Sequence, residues 1–256
     1  MNHAEAQRMA RDEGVSRPRY RAVRFVAVPF MRLWWGLRIE GSEHVPLEGP
    51  AIITPNHKSF FDSFFLAAAT KRPLRFMGKS ELFEGRKGKL LVRLGAFPVL
   101  RGQSDAEALE TARIILEQGE LLSLFPEGTR VRDPDELGAP KRGAVRLALE
   151  TGAPLIPAAI TGTEKLFAGP VPRPRTVRVA FGEPVAVSDV PATPEAASDL
   201  LDDELWPKVS DEFSRLRAHP GLIAAGLAAA GIGAGVAVRR RRANARKPWW
   251  QKVGKR

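Results

Sequence analysis

The sequence predicts an α/β domain with a mostly parallel sheet flanked by helices. Between residues 41 and 218, short apolar runs alternate with longer stretches of helical periodicity, the pattern of strand–helix–strand crossovers. Two polar clusters also fall directly after apolar runs, where loops leaving the carboxyl ends of parallel strands gather the chemistry of such sheets. A chain of 256 residues, 44% hydrophobic and 27% charged, has room for one domain of this kind and two modest extensions.

The first extension is residues 1–38. Residues 1–17 are polar, and the apolar stretch that follows is broken by Arg24, Pro29 and Arg32, so no secretory signal is expected. Val23, Val26, Phe30, Leu33 and Leu37 recur at helical spacing and form one stripe, with Arg17, Arg21, Arg24 and Arg32 on the opposite face. Trp34 and Trp35 suit a membrane interface, and Pro29 is expected to kink or split the helix. This basic amphipathic segment is read as a contact with an anionic membrane surface, the plainer alternative being a helix packed on its own domain.

Within the domain, residues 39–218, strands are expected at 51–54, 74–77, 96–100, 121–125, 155–160 and 177–181. Helices are expected at 62–69, 88–94, 105–118 and 142–150, with a longer stretch around 195–216. The proline-rich piece 169–174 reads as a loop or linker.

The second extension, 219–256, joins an uncharged segment to a polybasic tail. Residues 221–238 are 18 long, at the lower edge of a bilayer span, and twelve of them are Gly or Ala. Residues 239–256 hold nine Lys or Arg and no acid. A single crossing would leave that charge on the outer side, against the positive-inside rule, so a shallow or re-entrant insertion, or self-association through the small residues, is expected instead. Location at the cytoplasmic face of the cell membrane, peripheral or shallowly inserted, follows from that reading.

The net charge of +11 resides in the two ends, which leaves residues 39–238 slightly acidic. A nucleic-acid-binding domain carries its charge on the folded surface among stacking aromatics, so nucleic acid is not an expected partner. The absence of cysteine removes disulfides, thiolate nucleophiles and cysteine-bound zinc. The four histidines, His3, His44, His57 and His219, lack ligand spacing, which argues against a metal hydrolase built on His57, Asp62 and Glu127; no metal or cofactor is expected.

His57 and Asp62 are the first candidates for catalysis. Five residues apart on one helix they would point about 140° away from each other. They meet only if His57 lies on a loop and Asp62 in the opening turn of the following helix. A carboxylate on one imidazole nitrogen fixes the tautomer and leaves the other nitrogen as a base for an attacking alcohol. Arg101 and Arg130 each close an apolar run, in Phe97-Pro-Val-Leu-Arg101-Gly102 and Phe125-Pro-Glu-Gly-Thr-Arg130. Two such guanidinium forks near one histidine would make a phosphate site, with Gly102 and Gly128 allowing close backbone approach.

Taken together, these blocks resemble the glycerolipid acyltransferase family, best known from the 1-acylglycerol-3-phosphate O-acyltransferases. Asn56-His57 through Asp62 matches its Asn-His-x-x-x-x-Asp (HX4D) block, and Gly95-Ala-Phe-Pro-Val-Leu-Arg101 its second. Phe125–Arg130 matches the third residue for residue, and Ala153-Pro-Leu-Ile-Pro157 the proline-containing fourth. Lys79 resembles a basic position before the second block.

The resemblance implies a glycerol-3-phosphate acyltransferase-like fold over roughly 39–185. It also implies His57 as general base and Asp62 as its orienting partner. Direct attack of the acceptor on the thioester of acyl-CoA or acyl carrier protein follows, with no acyl-enzyme. Lys79, Arg101 and Arg130 would then hold the acceptor's phosphate, and Glu127, Gly128 and Thr129 would lie with Arg130 in the acceptor site. The sequence does not assign oxyanion donors; backbone N–H groups near the start of the Asp62 helix are one candidate. The implied product is phosphatidic acid, in phospholipid synthesis. The same chemistry on another lysophospholipid or a glycolipid, and a non-catalytic lipid-binding protein, are the alternatives.

Overall fold

The structure, a computed structural model, describes residues 1–100 and 105–218; Arg101, Gly102 and the whole of the 219–256 extension lie outside the described residues. Helix α1 (His3–Asp12) starts at Asn2, whose side chain accepts the Glu5 N–H at 2.8 Å, and Glu5 and Arg11 complement the helix dipole. After α2 (Arg17–Trp34) come β1 (Arg38–Glu40), β2 (Ala51–Pro55), α3 (Asp62–Ala69), β3 (Leu74–Lys79), α4 (Gly85–Arg93) and β4 (Ala96–Val99). Then follow α5 (Ala106–Glu117), β5 (Leu121–Ser123), α6 (Gly143–Thr151) and β6 (Leu155–Thr161). A small hairpin of β7 (Phe167–Ala168) and β8 (Val171–Pro172) leads to β9 (Arg178–Phe181). Last are α7 (Pro194–Asp199) and α8 (Trp206–Ala218), joined by a π-helical turn.

One sheet runs in the order β1-β9-β6-β2-β5-β3-β4. β2 lies at its centre, parallel to β5 on one side and β6 on the other. All five β2 residues are buried, which is why this strand reads as an unbroken apolar run rather than an alternating one. Ile52 joins Phe76, Leu122 and Leu155 in a core covered by α1, α5, α6 and the π-turn. Ile53 points the other way, with Leu74, Leu121 and Ile156, into a core closed by α3 and Trp35. β9 is antiparallel to β6 because the short connection between them holds a hairpin and no crossover helix. Gly162, at φ +84°, makes the turn at the end of β6: a Cβ there would meet the Thr176 carbonyl oxygen at 2.1 Å.

All six expected strands form. The sequence missed α1, β1 and the hairpin, which occupies part of the 169–174 piece read as a loop. Residues 1–38 are not a segment apart: Ala6, Met9 and Ala10 lie in one core, and Trp35 and Leu37 in the other. Helix α2 runs through Pro29 without a break. Its inner face is Tyr20, Arg24, Val28 and Met31, so Arg24, expected on the outer basic face, instead donates to the Ala67 carbonyl. The stripe divides in consequence. Val23, Val26, Phe30 and Leu33 face outward with Phe25, whereas Leu37 lies beyond the helix and is buried.

Arg75, in β3, is fully buried; it donates to Glu120 at 2.7 Å and to the Ala10 carbonyl at 2.7 Å, tying α1 to the sheet. Glu120→Ala would leave that guanidinium buried without its carboxylate. The expected cost is about 3 kcal/mol, toward the low end for a broken buried pair because Glu120 is partly open to water. Urea unfolding reads this as a lower midpoint at unchanged slope, and a shift within about 0.5 kcal/mol of wild type would contradict it.

Candidate active site

β2 ends at Pro55, and the loop of residues 56–61 turns the chain into α3. The Asn56 amide opens this loop by bonding both backbone groups of Ile160 on β6, accepting its N–H at 2.8 Å and donating to its carbonyl at 3.1 Å. Asp62, the first residue of α3, is wholly buried. Its Oδ2 accepts the His57 Nδ1–H at 2.9 Å and the backbone N–H groups of Lys58 and Ser59, each at 2.7 Å. Its Oδ1 accepts the Thr163 hydroxyl at 2.6 Å. His57 is thus on the loop and Asp62 in the opening turn, as their spacing requires. An ionised carboxylate can only accept, so Nδ1 carries the proton and Nε2 keeps its lone pair. Phe125 stacks on the imidazole, centroids 4.0 Å apart, and fixes the ring's plane.

The loop after β5 is fastened to this one at several points. Glu127, buried, accepts the His57 N–H at 2.8 Å through Oε2 and the Gly138 N–H at 2.9 Å through Oε1. Val131 donates its N–H to the His57 carbonyl at 2.9 Å. Lys58 donates to the carbonyls of Asp133, at 2.7 Å, and Glu136, and its ammonium lies over the Phe213 ring. Burial lowers the Lys58 pKa from its usual value against the pull of Glu127. Burial likewise raises the Glu127 carboxyl, opposed by its two N–H donors, Lys58 and His57.

The other expected site residues are distributed unevenly. Gly128, at φ +68° beside the Lys141 side chain, makes the turn that leaves Thr129 and Arg130 exposed next to the Val131–His57 contact. Lys79 ends β3 on the same sheet edge, exposed and paired with Glu81 at 2.8 Å. Arg101 lies outside the described residues. Glu127, expected in the acceptor site, has both oxygens occupied by backbone donors and serves to join two loops. The N–H groups of Lys58, Ser59, Phe61 and Asp62 are also engaged, so these candidates are not open oxyanion donors. Among the described residues, no three His, Asp or Glu side chains converge as metal ligands.

Thr163 was missed. It lies 101 residues from Asp62, and its signal was only a hydroxyl just past a strand that neighbours β2.

The raised Glu127 pKa has a defined sign in stability. Ionising this carboxyl is harder in the folded chain, so its contribution is fullest below the ordinary carboxylate pKa of about 4.3 and is lost as pH rises through the higher folded value. The stability of wild type relative to Glu127→Gln should therefore increase as pH is lowered from neutral toward that range. Urea unfolding of both proteins across this interval checks it, and a difference that moves the other way would refute it.

A profile of the acyltransferase family matches residues 36–161, which hold the His57–Asp62 loop and the Phe125–Arg130 turn. The 1-acyl-sn-glycerol-3-phosphate acyltransferase of Bacillus subtilis is 30% identical over 159 residues, covering 60% of this chain and 76% of that protein. A chloroplastic 1-acyl-sn-glycerol-3-phosphate acyltransferase of Arabidopsis thaliana is 32% identical over 138 residues, 52% of this chain and 38% of that one. The crystal structure of the 1-acyl-sn-glycerophosphate acyltransferase of Thermotoga maritima superposes with a TM-score of 0.58 at 24% identity, over 78% of this chain and 84% of that one, a likeness of fold. The chain belongs to the acyltransferase family, as an O-acyltransferase.

Proposed function

We propose that the protein transfers a fatty acyl group from acyl-CoA or acyl carrier protein to the free hydroxyl of 1-acylglycerol-3-phosphate, giving phosphatidic acid. The observation that carries this reading is the buried Asp62 carboxylate, which holds His57 Nδ1–H and leaves Nε2 as the base. Nε2 takes the acceptor's hydroxyl proton as that oxygen bonds to the thioester carbonyl carbon. The C–S bond then breaks, and the imidazolium returns its proton to the departing thiolate. Arg130, exposed beside the His57 loop, and Lys79, on the same sheet edge, are the cations for the acceptor's phosphate. The names of the Bacillus and Arabidopsis relatives support the choice of acceptor.

The proposed acceptor is a lipid, and the outer face of α2 supports contact with an anionic membrane surface. Phe25, Val26 and Leu33 are 84%, 69% and 88% exposed, so the row is free for another partner. Arg17, Arg21 and Arg32 flank it. An aromatic series, Phe30–Trp35–Phe167–Phe61–Phe60, runs from this helix to the His57 loop and ties the two together through ring contacts. Among the described residues no helix is long and apolar enough to cross a membrane. Attachment at the cytoplasmic face, peripheral or shallow, fits these features.

The first test measures free CoA released from a long-chain acyl-CoA, with and without 1-acylglycerol-3-phosphate. Release should depend on the acceptor and fall about 10²–10⁴-fold in His57→Ala; activity within about threefold of wild type would exclude His57 as the base. Thr163→Val should lower kcat about tenfold at similar KM through loss of one hydrogen bond to a charged group, with recovery in Thr163→Ser. Phe25→Asp/Leu33→Asp should abolish sedimentation with anionic vesicles, since burying each apolar side chain gains roughly 1.5–3 kcal/mol. Undiminished sedimentation would place membrane contact elsewhere.

A further inference from the structure

At the sheet edge opposite His57, α2 and the loops leading into β2, β3 and β5 surround a cavity of about 580 Å³. These three strands are parallel, so their amino ends share that edge, whereas His57 and Asp62 follow the carboxyl end of β2. A five-residue strand separates the two places, about 16 Å by strand rise. The cavity is therefore not part of the catalytic site.

Five cationic side chains line it, Arg17, Arg21, Arg24, Lys71 and Arg72, against the carboxylates of Glu48 and Glu120. Glu120 is already engaged by Arg75. Arg72 is held as a fixed floor: its guanidinium donates to the carbonyls of Gly49, at 2.7 Å, and Gly119. Burial lowers the Arg72 pKa, Glu120 and Glu48 oppose the shift, and Arg17 adds to it. Arg17, Arg21 and Lys71 are exposed and, among the described residues, form no hydrogen bond or ion pair.

Unpaired cations around a concave site repel one another, and an anion with several oxygens relieves that repulsion while accepting from more than one guanidinium. The outward apolar face of α2 includes Phe25, one turn on from Arg21, so a lipid surface lying on that face would bring headgroups to the cavity mouth. We infer that this cavity is a second anion site, which binds a phosphate group carried by a lipid headgroup or by a soluble phosphate. The inference does not depend on acyl transfer.

Two measurements on the full chain test it, neither of which reads acyl transfer. The first is thermal unfolding in inorganic phosphate against sodium chloride of equal ionic strength. The second is sedimentation with phosphatidylcholine vesicles with and without phosphatidic acid. Wild type is compared with Lys71→Ala, which leaves α2 unchanged, and with Lys208→Ala, which removes equal charge elsewhere. The cavity variant should need at least about tenfold more phosphate, or more phosphatidic acid, for the same response, from the loss of charge-assisted hydrogen bonds. A difference in the phosphate arm means that a soluble anion suffices; a difference confined to vesicles assigns the ligand as a headgroup. If the two variants agree in both arms, the inference is wrong.

Discussion

A carboxylate with no exposure to water must find its solvation inside the protein, and Asp62 finds it in four donors. Three of them come from the five residues just before it, so the chain between His57 and Asp62 is a closed ring around one oxygen. That ring explains the spacing. With fewer intervening residues the imidazole could not fold back while the Lys58 and Ser59 N–H groups also point inward. The fourth donor, Thr163, lies just past the end of β6, the strand beside β2, and joins the ring to the sheet. The imidazole is therefore oriented before any substrate arrives, the condition that the proposed proton transfer would need.

The second loop extends the same logic. Glu127 and Val131 bond the His57 backbone from above, and Lys58 reaches the carbonyls of Asp133 and Glu136. These ties use charged side chains on backbone groups, a strong way to hold loops that have little apolar surface. Glu127 and Lys58 are each pushed toward neutrality by burial, so the fastening costs something electrostatically. In this position a carboxylate is a brace for the loop, even though its motif reads as part of a substrate pocket.

What the sequence conveyed followed from what each element buries. The sheet was legible because β2, β5 and β6 are covered on both faces and read as continuous apolar runs. Helix α1 was not, because it buries Ala6, Gln7, Met9 and Ala10, too small and polar to leave an amphipathic stripe of large residues. In α2 the large residues were visible, but their direction was not: the domain takes Tyr20, Arg24, Val28 and Met31 and leaves the bigger apolar row outside. Trp34 and Trp35 divide the same way, one exposed and one in the core. At the site, His57 and Asp62 were legible because their contact is local. Thr163 was not, since its contact is made by strand order, which motif spacing does not encode.

Pro29 sits on the solvent side of α2 with no N–H to offer, so the Phe25 carbonyl lacks the helical bond it would otherwise accept. That oxygen keeps its solvation only where water can reach it. The proline thus acts as a waterline. Pro29 is one turn from both Phe25 and Leu33, so were that row to meet hydrocarbon, sinking it deeper would strand this backbone dipole in oil. A single imino acid in this way limits how far the exposed row of α2 could settle into any apolar surface it met.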